Sequence, residues 1–316
     1  MADKKIVVGG HTIVIGNADK ILFPEDGFTK WDMVEYYRRI APVMLPHMQG
    51  RPVTMLRLPD GINGESFYHK ETPDYFPSWI KRAPMPKEDG VTNYVVCDNT
   101  ATLVYLADQA CITPHLWLSR YDKPDNPDLL IFDLDPSGPG FEPVRQAALV
   151  LKELLAGLGL AVFVKTTGSR GVHVVSPLDR SADFDSVRTF AEEVAQFLAG
   201  LDPKNLTVEQ RKEKRRGRVF IDTLRNSYAA TAVAPYALRA RNGAPVATPI
   251  TWEELKDPKL GPQSYNLRNI FGRLEAGKDP WVGIWSKAGS IDQPWKKLKE
   301  LVARQGRGSG NIVSKG

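Results

Sequence analysis

An apolar stretch of strand length, closed by two aspartates, lies at residues 127–135, which read PDLLIFDLD. Its length and the turn signals after it (Pro136, Ser137, Gly138) predict a buried strand. Side chains alternate along a strand, so Asp133 and Asp135 point to the same side. Two like charges this close repel, and a divalent cation between them relieves the repulsion. Hard carboxylate oxygens suit Mg²⁺ or Mn²⁺. The same pair could instead cap a loop in solvent, and the residues alone leave both interpretations open.

Hydrophobic periodicity predicts a mixture of helices and strands along the rest of the chain. Thr29 is the predicted N-cap of the first helix. The pattern predicts further helices at 102–110, 141–158, 184–201, 252–255 and 266–275, and strands at 6–8, 12–15, 52–58, 94–97, 161–166, 172–176 and 219–222. Residues 204–218 are rich in Lys and Arg, a pattern typical of a solvated helix face. Gly, Ser and charged residues predict a disordered tail at 301–316.

Composition narrows the class of protein. The 316 residues suffice for one large domain or two closely packed ones. A hydrophobic content of 42% is ordinary for a globular protein, and a net charge of +5 permits a nucleic-acid partner. Cys97 and Cys111 are too few for a disulfide framework or a cysteine-based zinc site. No apolar segment has the length of a signal peptide or a membrane span, so we expect a cytoplasmic protein without membrane contact.

Two further segments carry chemistry that suits phosphates. In residues 167–173, TGSRGVH, Gly168 and Gly171 allow backbone N–H groups to converge on an anion, although an ordinary hairpin turn has the same composition. Asp222 ends the apolar strand 219–222, and Arg225, Arg239 and Arg241 follow it. An acidic strand end followed by arginines is what a site for a metal-bound polyphosphate needs.

The N-terminal third contains cations and aromatic residues that are compatible with more than one role. Lys20 and Lys30 lie at the two ends of a polar loop. Phe67 and Tyr68 lie near basic residues and could stack on bases or belong to the core. His115, judged by its own context, has the pattern of a packed structural histidine.

Three strings taken together resemble one family: DLDP at 133–136, TTGSRGVHVVSPL at 166–178, and RVFIDTLRN with APYALRARNGAPVATPITWEEL between 218 and 255. The family is the primase-polymerase domain of bacterial ligase D, within the archaeo-eukaryotic primase superfamily. The resemblance runs from NADKILFP near the start to about residue 281, without an accompanying ligase domain. It implies an α+β fold with a catalytic sheet like that of RNA-recognition modules. The domain would span 1–300, with an N-terminal α/β part at about 1–120 and the catalytic sheet at about 121–300.

The resemblance also implies roles for individual residues. Asp133, Asp135 and Asp222 match the catalytic aspartates that hold two Mn²⁺ or Mg²⁺ ions. The residues that it assigns to the incoming nucleotide are His115, Thr167, Ser169, Arg170, His173, Arg225 and Arg239. His115 corresponds to the histidine near the sugar. Thr167 stands where the family has serine, and Ser169-Arg170 replaces a Gly-Lys pair. Lys20 and Lys30 match lysines that bind a DNA 5′-phosphate, and Phe67 and Tyr68 match an aromatic pair that stacks on template bases.

The implied function is a template-dependent nucleotidyltransferase that adds nucleotides, with a preference for NTPs over dNTPs, to primer 3′ ends at gaps or double-strand breaks. Its implied partners are gapped or broken DNA with a 5′-phosphate, Ku and a separate DNA ligase, at the nucleoid. Two alternatives stay open. A phosphohydrolase of the haloacid dehalogenase type also has a strand-end DxD, although Pro136 departs from its usual pattern. A non-catalytic DNA-end binding module would use Lys20, Lys30 and segment 204–218.

Overall fold

The computed structural model describes residues 3–310, with side chains through residue 305. The chain contains both α-helices and β-strands, in agreement with the predicted α+β fold. The strands, in chain order, are β1 Lys4–Val8, β2 His11–Ile15, β3 Ile21–Phe23, β4 Phe28–Thr29, β5 Pro52–Arg57, β6 Phe67–His69, β7 Arg82–Lys87, β8 Gly90–Val96, β9 Cys111–Trp117, β10 Leu129–Asp135, β11 Phe163–Thr166, β12 Val172–Pro177, β13 Leu206–Thr207, β14 Val219–Asp222, β15 Thr231–Val233 and β16 Pro249–Ile250. The α-helices are α1 Lys30–Met48, α2 Thr100–Asp108, α3 Glu142–Leu158, α4 Phe184–Leu201, α5 Trp252–Lys256, α6 Ile270–Ala276 and α7 Asp292–Gly310. No helix in the described part of the chain is both long enough and apolar enough to cross a membrane.

The chain forms two compact units that do not follow the predicted division at residue 120. Unit 1 contains the described residues up to Pro124, together with Lys165–Arg170 and Ala229–Val282. Unit 2 contains Asp125–Val164, Gly171–Tyr228 and the residues from Gly283 onward. The predicted catalytic part, 121–300, is therefore divided between the units. The reason is long-range pairing, which a linear pattern does not encode.

Unit 1 is built on a sheet with the strand order β15-β9-β5-β8-β7, in which β6 also pairs with β5. Helix α1 begins as predicted, because the Thr29 side chain accepts a hydrogen bond from Asp32 N and the Asp32 side chain accepts one from Thr29 N. The Tyr36 hydroxyl donates to Tyr236 O at 2.7 Å. Leu238 N in turn donates to the Tyr37 hydroxyl at 3.1 Å. These buried bonds tie the returning segment to α1, which explains why it belongs to unit 1.

In unit 2, four strands are neighbours in the order β13-β14-β10-β12. Strand β10 is antiparallel to both β12 and β14. The predicted apolar face of α3 is buried, including Val144, Leu151 and Leu155. Strand β10 has a neighbour on each edge, and its residues 130–134 are buried, whereas Leu129 and Asp135 at its two ends are half-buried. Two of the three carboxylates, Asp133 and Asp135, therefore lie on a central strand of the sheet.

Several local predictions were wrong. Segment 204–218 contains β13 and a single 3₁₀ turn at Lys212–Lys214 instead of a solvated helix. Strand β7 was missed because Pro84 and Pro86 argue against a strand, yet β7 is an edge strand, where proline is tolerated. Phe67 and Tyr68 lie on β6 instead of in a long loop.

The prediction of a disordered tail is also wrong for residues 301–310, which continue helix α7. This helix is anchored upstream, where the Trp295 indole N–H donates to Glu193 Oε2 at 2.7 Å. Leu298 is buried, so the helix has an apolar face that packs in unit 2. Residues 311–316 lie outside the described residues.

Candidate active site

The three predicted catalytic aspartates lie on one face of the unit 2 sheet. Asp133 on β10 is directly opposite Asp222 on β14 and directly opposite His173 on β12. Directly opposite residues of antiparallel strands share a face, so these three side chains form a row across three strands. Asp135 lies two positions beyond Asp133 and shares that face. The neighbouring-strand position of Asp222, which the sequence could only hypothesise, is thereby confirmed.

Asp133 is the most enclosed of the three carboxylates, with 5% of its surface exposed. Its Oδ2 atom lies 3.5 Å from His173 Nε2 and 3.4 Å from Arg225 Nη2. A carboxylate buried beside another acid requires compensation by cationic or hydrogen-bonding groups. In this row, Arg225 and His173 supply it.

The pKa of Asp222 responds to its burial and to the neighbouring charge of Asp133. Burial is the main reason why the pKa of Asp222 is raised above its ordinary value, and the charge of Asp133 raises it further. A hydrogen bond of 2.8 Å from Leu224 N to Asp222 Oδ1 opposes the shift, as does the charge of Arg225. A bound cation beside Asp222 would favour its ionised form.

The carboxylates have the chemistry of a divalent cation site, since oxygen atoms are the preferred ligands of Mg²⁺ and Mn²⁺. Two of them, Asp133 and Asp222, are cross-strand neighbours. Within residues 3–310, however, no three acidic, histidine or cysteine side chains converge into a ready-made ligand set. Mutual repulsion opposes such convergence, and Asp133 faces Arg225 and His173 instead. The three carboxylates therefore fit a divalent ion in two respects: they supply oxygen ligands, and they lie on the same face of the sheet.

A glycine brings the start of β12 against the carboxylate strand. A Cβ atom added to Gly171 would overlap the carbonyl oxygen of Leu134, the residue between the two aspartates of β10. Only glycine permits this close approach of two backbones. Gly171 therefore fixes the register that sets His173 opposite Asp133.

The predicted phosphate-binding turn, residues 167–170, lies in unit 1 and has a compact internal structure. Ser169 N donates to the Thr167 hydroxyl at 3.3 Å. Gly168 has a φ of +63°, and a Cβ atom there would lie 2.8 Å from Arg239 Cγ. Arg239 Nη1 donates to Thr167 O at 3.3 Å, so this arginine packs against the turn that it was predicted to assist. Arg170 is exposed, whereas Thr167 is buried.

Gln263 contacts this turn, although no sequence pattern assigned it a role. Its side-chain amide donates to Ser169 O at 2.7 Å. The two residues are 94 positions apart along the chain, and no local motif marks the glutamine. Only the tertiary fold could identify this contact.

The predicted sugar and template residues are adjacent in unit 1. His115 lies on β9, and its ring meets the Tyr68 ring edge-on, with the centroids 5.5 Å apart. His115 is 8% exposed, whereas Tyr68 is 60% exposed and Phe67 is 43% exposed. The Arg57 guanidinium lies 5.6 Å from the centre of the Phe67 ring. The exposed aromatic pair is therefore available for stacking, and the enclosed histidine lies beside it.

Lys20 and Lys30 are neighbours through the backbone, since Lys30 N donates to Lys20 O at 2.8 Å. Their ammonium groups have different surroundings. Lys20 Nζ forms a surface ion pair with Asp60 Oδ1 at 2.6 Å. Lys30 Nζ contacts Asp108 Oδ1 at 2.7 Å and donates to Gly16 O at 2.7 Å. With 12% of its side chain exposed, Lys30 also has a structural role that the sequence did not indicate.

Comparisons with known proteins identify the family of this chain. The family model described as "LigD, primase-polymerase domain" matches residues 29–281. The chain is 37% identical, over 263 residues, to the multifunctional non-homologous end joining DNA repair protein LigD of Mycobacterium tuberculosis, covering 80% of this chain and 35% of that protein. It is 29% identical to the bifunctional non-homologous end joining protein LigD of Bacillus subtilis, covering 84% of this chain and 43% of that protein. The chain thus spans less than half the length of these relatives.

A solved structure extends the agreement to the fold. The polymerase domain of Mycobacterium tuberculosis ligase D in complex with DNA superposes with a TM-score of 0.82 at 34% sequence identity. The similarity covers 87% of this chain and 99% of that domain. The strings that suggested the resemblance lie within the matched residues, on the strands and turns described above. This chain belongs to the LigD primase-polymerase domain family of DNA-repair nucleotidyltransferases.

Proposed function

We propose that this protein extends the 3′ end of a primer strand at gaps or double-strand breaks in DNA, by templated nucleotidyl transfer that depends on two divalent ions. The observation that carries the proposal is the placement of Asp133, Asp135 and Asp222 on one sheet face. Two Mg²⁺ or Mn²⁺ ions, when bound, supply activation of the primer 3′-hydroxyl and neutralisation of the leaving pyrophosphate. Asp133 and Asp222, as cross-strand neighbours, would supply ligands for them together with Asp135.

The chain's own groups have separate tasks in this proposal. His173 and Arg225 hold the orientation of Asp133 through their contacts with Oδ2. The turn at residues 167–170 and Arg239 bind triphosphate oxygens, for which backbone N–H groups and a guanidinium are suited. The exposed Arg170 adds a planar donor where the family has lysine.

Selection of NTPs over dNTPs is assigned to His115. The 2′-hydroxyl can donate and accept hydrogen bonds, so a nearby imidazole can distinguish the two sugars. Phe67 and Tyr68 would stack on template bases. Lys20 and Lys30 would bind the 5′-phosphate across a gap. Because the relatives are named as end-joining proteins, we propose that Ku and a separate DNA ligase are partners at broken nucleoid DNA.

A primer-extension assay on a gapped duplex tests the proposal. The DNA is prepared with and without a 5′-phosphate, and is supplied with NTP or dNTP and with Mg²⁺ or Mn²⁺. We expect addition of the templated nucleotide, greater with NTP and with the 5′-phosphate. An absence of extension under every combination would refute the proposal. Neither the phosphohydrolase nor the non-catalytic alternative gains support from a specific observation in the structure.

A further inference from the structure

Residues 211–218, here called the basic segment, contain two kinds of cationic side chain in unit 2. Arg215 is buried, and its guanidinium donates to Glu209 O at 3.0 Å and to Gln210 O at 2.8 Å. The same group lies 3.8 Å from the centre of the Phe220 ring. Arg218 donates to Arg215 O at 2.9 Å. These two arginines hold the segment's backbone against β14.

The other four cations, Arg211, Lys212, Lys214 and Arg216, are exposed. Among the residues that the structure describes, no carboxylate lies within 4.0 Å of their charged groups. Glu213 is the only acid between them. Like charges placed this close repel each other in the isolated protein, and the repulsion is relieved when an anion binds. The exposed side of the segment thus has four positive charges that no nearby carboxylate in the described part of the chain compensates.

Arg216 adds a conformational argument. Its φ is +51°, and Gly217 follows with a φ of +80°. The left-handed region disfavours residues with a Cβ atom, and glycine occupies it without that cost. Arg216→Gly is therefore a replacement that removes the charge and preserves the backbone conformation.

The basic segment lies beside the carboxylate end of β10. A Cβ atom added to Gly138 would lie 3.4 Å from Gly217 O, so the segment packs against the turn that follows Asp135. Strand β14, which begins directly after the segment, sets Phe220 opposite Asp135. Four cations in so short a segment match a row of phosphates along a strand better than one small anion.

We propose that Arg211, Lys212, Lys214 and Arg216 contact the sugar-phosphate backbone of the duplex upstream of the primer 3′ end. The proposal rests on the proposed polymerase function. If Asp135 belongs to a polymerase active site, the DNA bound there would lie close to the basic segment. Backbone contacts position a duplex without reading its sequence. This role of the basic segment differs from the one proposed for Lys20 and Lys30, which is to bind the 5′-phosphate across a gap.

Counterion release gives the expected size of the effect. Each neutralised phosphate contributes about −0.9 to the slope of log K against log salt concentration on duplex DNA. Four contacts therefore account for a slope of about −3 to −4, or about 100-fold weaker binding between 50 and 200 mM salt. A variant without the four charges should lose this part of the salt dependence.

The test uses two variants that remove the same number of charges from unit 2. The first is R211Q/K212Q/K214Q/R216Q. The matched control is K296Q/K297Q/K299Q/R304Q, whose residues are exposed on helix α7. Binding to a primer-template without a downstream strand is measured by fluorescence anisotropy in EDTA, without nucleotide, from 50 to 200 mM salt. We expect the slope to fall by about 3 to 4 in the first variant and by less than 1 in the control. An unchanged slope in the first variant, or equal changes in both, overturns the inference.

The single variant Arg216→Gly separates binding from folding. Glycine suits the left-handed conformation, so the melting temperature should be unchanged or higher while the salt slope falls by about 1. A lower melting temperature, or an unchanged slope, would show that Arg216 serves the fold and not the DNA. If the wild-type protein binds no primer-template at any salt concentration, the proposed function fails. If the wild-type protein extends DNA, but its binding has the same salt slope as that of the first variant, only this inference fails.

Discussion

Asp133 and Asp222 are directly opposite each other on the neighbouring antiparallel strands β10 and β14. Like charges in this cross-strand position destabilise a sheet unless something compensates them. In the structure, Arg225 and His173 approach Asp133, and the Leu224 amide donates to Asp222. We propose that both acids serve nucleotidyl transfer by a two-metal mechanism.

The first prediction concerns Gly171, where an added Cβ would overlap Leu134 O. Gly171→Ala must displace β10 or β12, so we expect a melting temperature lower by several degrees and at least a 10-fold loss of primer extension. The size follows from the about 1–3 kcal/mol that overpacking typically costs. Thermal unfolding and extension rate are the measurements.

Gly200→Ala is the matched control, because Gly200 lies in α4 with nothing within 4 Å of an added Cβ. Alanine in a helix is about 0.5–1 kcal/mol more favourable than glycine. The control should therefore be as stable as the wild type or more stable. If Gly171→Ala behaves like Gly200→Ala, the close approach of β12 to β10 is not required.

The second prediction concerns sugar selection. His115→Ala should narrow the ratio of NTP to dNTP extension efficiency by about 10-fold, the equivalent of one hydrogen bond of about 1.4 kcal/mol. His11→Ala serves as control, because His11 is also in unit 1 and stacks on the Trp79 ring instead. The ratio for each variant comes from single-nucleotide extension at saturating DNA. A ratio that does not change on replacing His115 assigns this residue to the fold alone.

The third prediction separates the two roles of Lys30. Lys20→Ala and Lys30→Ala should each reduce the preference for gapped DNA with a 5′-phosphate, by about 10-fold or more per charge-assisted contact of about 1.5–3 kcal/mol. Lys30→Ala should also lower the melting temperature, because it leaves the enclosed Asp108 without its cation. Lys20→Ala should not, since its partner Asp60 is exposed.

The double variant Lys30→Ala/Asp108→Asn tests that division. It removes the uncompensated charge, so the melting temperature should recover in part while the phosphate preference stays reduced. The measurements are binding of gapped DNA with and without the 5′-phosphate at fixed salt, together with thermal unfolding. A full return of the phosphate preference in the double variant would contradict the assignment of Lys30 to the 5′-phosphate.

The fourth prediction uses pH and a buried acid away from the site. Although burial alone would raise the pKa of Asp279, the hydrogen bond and charge of His47 and the bond from Tyr236 hold it below its ordinary value. An acid with a lowered pKa in the folded state contributes stability above its unfolded pKa and loses it as pH falls. We expect Asp279→Asn to cost about 1.5–3 kcal/mol at neutral pH.

The pH dependence supplies the check. The difference in melting temperature between the wild type and Asp279→Asn should be largest near pH 7. It should shrink as the pH falls through and below about 3.9, the usual pKa of an aspartate. Asp74→Asn, which changes an exposed aspartate in unit 1, should leave the melting temperature unchanged at every pH. A difference that is constant from pH 7 to pH 3 would contradict the predicted linkage.

Some elements of this chain follow directly from its local sequence patterns. Helix α4 and strand β14 have the predicted bounds, and the Thr29 cap begins α1. The shared side of Asp133 and Asp135 follows from the period of a strand, and the structure agrees with it. These features depend on neighbouring residues, which is why a linear sequence contains them.

The features that escaped prediction depend on distant contacts. Asp108 stabilises Lys30 from far along the chain, and nothing near Lys30 indicates it. Gln263 reaches Ser169 in the same way. Strand β7 exists because it pairs with β8 at a sheet edge, although its prolines argue against a strand. Helix α7 persists because it packs in unit 2, although its composition suggested disorder.

The central claim is that the row of carboxylates on β10 and β14 binds the catalytic ions. The most direct measurement is single-turnover extension of a gapped duplex in Mn²⁺ by the variants Asp133→Asn, Asp135→Asn and Asp222→Asn. Asp185→Asn is the control, an exposed aspartate of the same unit, and DNA binding in EDTA is measured in parallel. We predict at least a 100-fold loss for each of the three, with DNA binding retained and the control unaffected. Near-normal extension by any one of the three would contradict the claim.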